Sequence, residues 1–187
     1  MGLDKYNEKR DFTKSKEPEG KETTDYEDFF VIQKHDATNL HYDFRLSIDG
    51  VLKSWAVPKG LSLDPKDKRL GIHTEDHPID YGGFEGVIPE GEYGAGTVML
   101  WDTGEFENVR DKSLSESYEE GKIEVKLKGE KIKGAFVLTN LKGSKKNWLI
   151  IKMKDDLADA EADPLKSKPD SVKTGRTMKE IEKEESS

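Results

Sequence analysis

The chain has 187 residues, with 31 Lys and Arg against 39 Asp and Glu and a formal net charge of -8. That length holds one domain with tails rather than two full ones, and 33% hydrophobic against 37% charged residues leaves part of the chain as solvated segment. No apolar run reaches the ~18 residues of a spanning helix, the first residues lack the basic and apolar regions of a secretory signal, and the absence of Cys removes disulfides, thiolate nucleophiles, zinc ribbons and iron–sulfur clusters.

No membrane partner is expected, and a reducing cytoplasm fits a chain without Cys. The acidic balance argues against a broad, sequence-blind coat on DNA, which needs many Lys and Arg contacts to phosphate. The charge is uneven, however. Residues 1–27 hold 6 basic and 8 acidic side chains, and residues 154–187 hold 7 and 10. The middle carries all three Trp and every Phe but Phe12, so a core belongs there.

In chain order, Glu17-Pro18-Glu19-Gly20-Lys21-Glu22-Thr23-Thr24 shows no apolar periodicity. Leu40, Tyr42, Phe44, Leu46 and Ile48 then alternate with His41, Asp43, Arg45, Ser47 and Asp49. Period 2 predicts a strand with one apolar and one polar face. Asp49-Gly50 predicts a hairpin turn into a strand over 51–57. Further strands are expected over 69–75 and, after a glycine-rich turn, over 97–101. Asp102-Thr103-Gly104 is expected to turn into another short strand. Three more follow over 122–127, 134–141 and 148–153. Helix signals are confined to 155–162 and the tail, where Thr177 and Glu180 form a capping box. The run from Lys179 to Ser187 reads as a frayed, solvated end. Many short strands punctuated by Gly, Pro and Asp predict a mainly β chain, an antiparallel barrel or sandwich. Trp55, Trp101 and Trp148 read as core or rim packing.

All four His lie between positions 35 and 77. His41 and Asp43 share one strand face, about 6.6 Å apart along it. His35 lies upstream across Asp36-Ala37-Thr38-Asn39, a turn that can swing it back over that strand. Two imidazoles and a carboxylate form a sulfur-free ligand set whose open positions suit a catalytic metal. Mn, Fe and Zn all fit such ligands. Arg45, on the same face, is either a bidentate clamp for phosphate or carboxylate or the ion-pair partner of Asp43. Arg69, Gly71, His73 and Glu75 share a face of the 69–75 strand, and Arg69 is a second candidate phosphate ligand. His77 precedes Pro78 at a strand end. Neutral, it can bind metal; charged, it can stabilise or protonate a phosphoryl oxygen. His73 reads as a polar wall residue. Gly91-Glu92-Tyr93-Gly94-Ala95-Gly96-Thr97 lacks the ending of a nucleotide-binding phosphate loop and reads as a tight turn at the sheet edge.

These motifs carry a resemblance. His35-Asp36-Ala37 with His41-Tyr42-Asp43-Phe44-Arg45-Leu46, then Trp55-Ala56-Val57-Pro58-Lys59-Gly60, Glu75-Asp76-His77-Pro78 with Tyr81, Phe84-Glu85-Gly86, and Ile88-Pro89 with Gly91-Glu92-Tyr93-Gly94 closely resemble the 3'-phosphoesterase domain of bacterial DNA ligase D. The match is ordered and gapless over about 70 residues. Lys9-Arg10-Asp11-Phe12 with Glu17-Pro18 is similar to the family's opening motif, and Trp148-Leu149-Ile150-Ile151-Lys152 to its closing strand. Ser15 stands where the family often has Thr, and His73 where many members differ.

The resemblance implies a compact β-barrel over 28–156 with short flanking helices. It also implies a polar N-terminal segment over 1–27 that contributes to the site, and a helical or linker-like charged tail over 157–187. It implies an end-healing enzyme that removes a 3'-terminal ribonucleotide from DNA or DNA–RNA ends and then the 3'-phosphate, leaving a 3'-OH. Manganese is the implied cofactor, with Co2+ or Zn2+ as substitutes. His35, His41 and Asp43 match metal ligands; Arg45 and His77 match residues that engage the scissile phosphate. Arg69, Tyr81 and Lys59 match supporting residues, with Gln33 and Glu75 beside them. Arg10, Asp11 and Glu17 match a segment implicated in the diesterase step. Thr174-Gly175-Arg176-Thr177 resembles the linker to a following domain; none follows, so a stand-alone member working with a separate ligase or polymerase is expected. Direct attack by water is expected, with a phosphohistidine route left open. Two competing readings are a mononuclear iron oxygenase built on the same two His and one carboxylate, and a non-catalytic module that binds DNA ends or a ligase.

Overall fold

A computed structural model describes residues 2–21, 23 and 26–186. Its strands are β1 (Phe29–Asp36), β2 (Leu40–Ile48), β3 (Val51–Val57), β4 (Arg69–His77), β5 (Gly86–Ile88), β6 (Gly96–Asn108), β7 (Lys122–Gly129), β8 (Lys133–Asn140) and β9 (Asn147–Lys152). Every pairing is antiparallel, in the order β1-β2-β3-β4-β9-β8-β7-β6. Pairing of β1 with β6 closes the barrel, and β5 adds to the outer part of β6. Closure is the most complete solution to the edge-strand problem. The chain is thus mainly β, an eight-stranded barrel with short helices, as expected.

The interior is filled from nearly every strand. Phe30 and Ile32, Phe44 and Leu46, Trp55, Met99 and Trp101, Val125, Phe136, and Trp148 with Ile150 form one cluster. All three Trp are therefore core residues. The hairpin at Asp49-Gly50 forms with positive φ at both positions, 53° and 82°. That geometry suits the twist of the β2–β3 strands it joins.

Four expectations are corrected. First, β1 was not foreseen as a strand. Its Phe-Phe-Val-Ile start is buried on both faces, because Phe30 and Ile32 enter the barrel while Val31 is covered from outside. Two-sided burial erases the alternation that marks a strand. Second, β6 runs unbroken for 13 residues through the turn expected at 102–104. Asp102 turns its carboxylate to the β7–β8 connection instead, accepting the backbone N–H groups of Glu130, Lys131 and Ile132 at 3.0, 3.2 and 2.8 Å. Third, 155–162 is not helical. Asp155 accepts from Leu157 N–H and from Lys152 Nζ at 2.9 and 2.6 Å, a local bond that competes with helix.

The fourth concerns the helices. α1 (Asp4–Glu8), α2 (Leu114–Glu120), the one-turn α3 (Pro164–Ser167) and α4 (Met178–Glu185) surround the barrel. α2 was missed although its signals are legible: Ser113 accepts the Glu116 N–H, and Gly121 ends the helix at φ 87°. α4 carries the expected capping box. It is not a frayed end, because Ile181 is fully buried in the barrel cluster and Arg176 bridges to Glu85 at 3.1 Å. Of that charge run, Ser187 lies outside the described residues, as do Glu22 and Thr24 of the polar N-terminal stretch.

Candidate active site

The polar face of β2 is the key. Tyr42, Phe44, Leu46 and Ile48 point into the barrel, so His41, Asp43, Arg45 and Ser47 point outward. Yet Asp43, Arg45 and Ser47 are buried too. The chain builds a second apolar layer over them: Leu3 and Tyr6 from the N-terminal segment, Tyr81 from the 3₁₀ turn Ile79–Gly83, then Phe84 and Ile88. A cleft of about 300 Å³ remains between layer and sheet, lined by Arg10, His35, His41, Asp43, Arg45, Glu75, His77, Tyr81, Tyr93 and Gly94 among others.

His35 and His41 are direct cross-strand partners in the β1–β2 hairpin. Their rings lie 4.9 Å apart. The ligand atoms of His35, His41 and Asp43 all fall within 4.8 Å of one another. His35 Nδ1 and His41 Nε2 approach the same Asp43 Oδ2 at 3.5 and 3.2 Å. The outer nitrogens are both held by backbone carbonyls: His35 Nε2 at 2.7 Å from Gly94 O, and His41 Nδ1 at 2.9 Å from Asn39 O. A carbonyl only accepts, so each outer nitrogen carries its proton. Both inner nitrogens then aim lone pairs at a carboxylate oxygen, which also only accepts. That arrangement requires protons or a cation at the centre. Backbone carbonyls fixing the tautomer of ligating imidazoles are a recurrent feature of metal sites, so the three residues fit a divalent metal.

The electrostatics agree. Burial pushes the Asp43 carboxyl up, but Arg45 and the hydrogen bonds from His35 and His41 outweigh it and hold it well below the ordinary carboxylate range. Burial pushes His41 down, and its bond to Asp43 outweighs that, so its pKa is raised. His77 goes the other way. Burial, then Arg45 and Arg10, hold its pKa well below the ordinary value. Its Nδ1–H goes to Glu75 O at 3.0 Å, and its Nε2 faces Arg10 Nη2 at 3.4 Å. His77 is therefore neutral, and of the two roles open to it the charged one is disfavoured in this resting arrangement.

Arg45 is held at three points. Nε donates to Gln33 Oε1 at 2.7 Å, Nη1 to Ser54 Oγ at 2.8 Å, and Nη2 lies 3.5 Å from Asp43 Oδ2. So the pairing with Asp43 exists, and the guanidinium still lines the cleft. Gln33 stands behind Arg45 rather than in the cleft. It is fully buried, and its amide donates to Tyr81 O and Phe84 O at 2.9 and 3.0 Å. Glu17 accepts from Arg10 Nε at 2.9 Å, from Tyr81 O–H at 2.8 Å and from Ser15 O–H at 2.8 Å. Ser15 thus supplies the hydroxyl that this contact needs. Glu75 sits beside Lys9 and Arg10, at 3.4 and 3.8 Å, and its Oε1 accepts no hydrogen bond among the described residues.

Three expected site residues lie elsewhere. Asp11 is exposed and closes its own turn by accepting from the Thr13 N–H at 3.0 Å. Lys59 and Arg69 line a separate cavity of about 530 Å³ with Asp67 and Asp163, where Arg69 pairs with Asp67 at 3.7 Å. A bulge in the β3–β4 pairing breaks the shared face expected for Arg69, His73 and Glu75. His73 stacks on Trp55 at 5.0 Å and fixes both nitrogens, on Ser54 O at 2.8 Å and Tyr118 Oη at 2.7 Å. It is a polar wall residue. Conversely, Lys9, Ser54, Tyr93 and Gly94 were not singled out for the site. The glycine-rich turn that carries Gly94 does more than turn: it supplies the carbonyl that orients His35. Its three glycines at 91, 94 and 96, all at positive φ, were the available signal.

A family model for the DNA ligase D 3'-phosphoesterase domain matches residues 33–140, more than half of the chain. The chain belongs to this family. Similar proteins include the multifunctional non-homologous end joining protein LigD of Pseudomonas aeruginosa, 48% identical over 94% of the chain, and that of Mycolicibacterium smegmatis, 48% identical over 82%. The multifunctional non-homologous end joining DNA repair protein LigD of Mycobacterium tuberculosis is 43% identical over 82%. The chain spans about a fifth of the length of these relatives, 20 to 22%. The family accounts for the phosphoesterase resemblance. Among the described residues no helix is long and apolar enough to cross a membrane.

Proposed function

We propose that this phosphoesterase-family chain is a metal-dependent 3'-end-healing enzyme for DNA, acting in repair by end joining. It removes a 3'-terminal ribonucleotide as a phosphodiesterase and then the 3'-phosphate as a monoesterase. The observation that carries this reading is the convergence of His35 Nδ1 and His41 Nε2 on Asp43 Oδ2, with both outer nitrogens fixed by carbonyls and Arg45 alongside. An iron oxygenase has less use for Arg10 and Arg45 around one cleft, and an end-binding module has no need of preset ligand tautomers.

His35, His41 and Asp43 would hold the metal, with manganese the expected ion. Bound there, it would act as a Lewis acid on a phosphoryl oxygen. Arg45 is anchored on three sides, so its cleft-facing edge is presented to phosphate without reorganisation, which is how charge developing in a transition state is best offset. Neutral His77 has its Nδ1–H held by Glu75 O and its Nε2 facing Arg10 Nη2, so on this reading it lines the cleft as an uncharged residue that keeps the Arg10 guanidinium beside Arg45, where both can meet the scissile phosphate. Burial, followed by Glu17, raises the Tyr81 pKa well above its ordinary value, so its phenol stays a donor and keeps Glu17 and Arg10 in place. Arg10 from the N-terminal segment and Glu75 from β4 line the cleft, Glu17 holds Arg10 from behind, and we assign the three to the diesterase step. Asp11, Lys59 and Arg69 act, on this reading, only at a distance.

The test is an end-healing assay on two labelled primer–templates, one ending in a 3'-phosphate and one in a single 3' ribonucleotide, with manganese and then with chelator. Conversion of both to 3'-OH, lost on chelation, is the expected result. No conversion with manganese, cobalt or zinc would refute the reading.

A further inference from the structure

A third cavity, of about 610 Å³, opens beside the metal cleft. The two share Thr74, Glu75 and Tyr93 as lining, so they meet along one wall. The charge of this groove is the reverse of the chain's. Five lysines line it, against only two carboxylates: Lys5 and Lys9 come from the N-terminal segment, Lys53 from β3, and Lys145 and Lys146 from the β8–β9 loop. Both carboxylates are already engaged. Asp76 pairs with Lys53 at 3.0 Å, and Glu75 faces Lys9 and Arg10. Lys5, Lys145 and Lys146 are exposed and carry no ion pair among the described residues. In a chain of net charge -8, three such free ammonium groups on one groove need a reason.

We propose that this groove binds the phosphodiester backbone of the DNA strand immediately upstream of the 3' end seated in the cleft. The inference rests on the end-healing reading above and extends it to a strand-holding subsite. Charge complementarity selects the occupant: a polyanion that enters the cleft by its end must continue along a wall, and this wall is basic. Tyr93 stands at the junction, 46% exposed, with Lys9 Nζ 4.5 Å from its ring centroid. An exposed aromatic ring beside a cation is the pairing that single strands use for base stacking and phosphate contact. The far wall is fixed as well. Backbone N–H of His73 donates to Lys146 O at 2.6 Å and the Trp148 indole N–H to Lys145 O at 3.2 Å, so the two lysines project from a tethered loop. Phosphate contacts of this kind position a strand without reading its sequence.

The experiment is fluorescence anisotropy with a labelled single-stranded oligonucleotide ending in a 3'-phosphate, in chelator, over a salt series. The variants are Lys145→Ala/Lys146→Ala and a control, Lys126→Ala/Lys133→Ala, whose lysines are exposed and line neither cavity. The groove variant should bind about tenfold more weakly, and its slope of log K against log salt should fall by about 1.4, the release expected for two lost single-strand phosphate contacts. The control should match wild type. An unchanged affinity and slope in the groove variant, or an equal loss in the control, would overturn the proposal. Because the readout is binding without metal, absence of hydrolysis by the wild-type protein would count against the end-healing reading and leave this result to stand or fall separately.

Discussion

Replacing Gln33 with Leu should separate a residue that touches substrate from one that positions another. Gln33 is fully buried and makes three hydrogen bonds: it accepts from Arg45 Nε and donates to Tyr81 O and Phe84 O. Tyr81 O keeps a second donor, the Phe84 N–H at 3.0 Å, so its loss is small. Phe84 O and Arg45 Nε lose the partners named here. A buried acceptor left unsatisfied costs about 1–3 kcal/mol and a lost bond to a charged group about 1.5–3 kcal/mol. The apolar gain of Leu offsets roughly 1 kcal/mol, so Gln33→Leu should cost about 3 kcal/mol. With a urea slope of about 2 kcal/mol/M, the unfolding midpoint should fall by about 1.5 M. Arg45 would retain Ser54 and Asp43 but lose its stem anchor, so kcat/KM should fall about 10- to 100-fold, mainly in kcat, as misplacement of a clamp does. Urea unfolding and steady-state hydrolysis of a 3'-phosphate end give the two numbers. An unchanged midpoint with a raised KM alone would refute the reasoning and return Gln33 to the substrate.

Other expectations concern the metal, the pH response and the two ends of the chain. His41→Ala and Asp43→Ala should each weaken manganese binding by more than about 100-fold, measured calorimetrically, and abolish both hydrolytic steps; near-normal binding in either would remove that residue from the ligand set. His77 has a folded pKa below its unfolded value, so its contribution to metal-free stability is full above about pH 6.5 and is lost as pH falls. The stability gap between wild type and His77→Asn should therefore narrow from pH 7 to pH 5 in urea titrations, and a gap that widens would contradict a neutral buried imidazole. Arg10→Ala should depress the diesterase step about tenfold more than the monoesterase step, and equal losses would contradict its assignment. Ile181→Ala should cost about 3 kcal/mol and lower Tm by about 9 °C; a melt unchanged from wild type would mean that the tail is not packed in solution.

The sequence by itself determined the strands that alternate. β2 and β7 were legible because one face of each is apolar and the other is polar, β3 because the Asp49-Gly50 turn precedes it, and that turn because only such residues take positive φ at low cost. It also brought out the candidate trio, since His41 and Asp43 on one strand share a face whatever the fold and the turn over 36–39 brings His35 beside them. Tertiary structure decided the rest. β1 was hidden because a second layer covers its outer face, and part of that layer comes from a segment whose sequence looks merely polar. Leu3, Tyr6 and the buried Glu17 become visible as structure only when the barrel offers them a face to cover. The same logic sorted the expected site residues. Lys59 and Arg69 match the family beside the candidate ligands but line another cavity, whereas a bulge between Thr74 and His77 sets Glu75 at the cleft. Gln33 is two positions from a ligand, but packing turns it toward Arg45 instead of the cleft. Local pattern fixes which face a residue lies on; only long-range pairing fixes what that face meets.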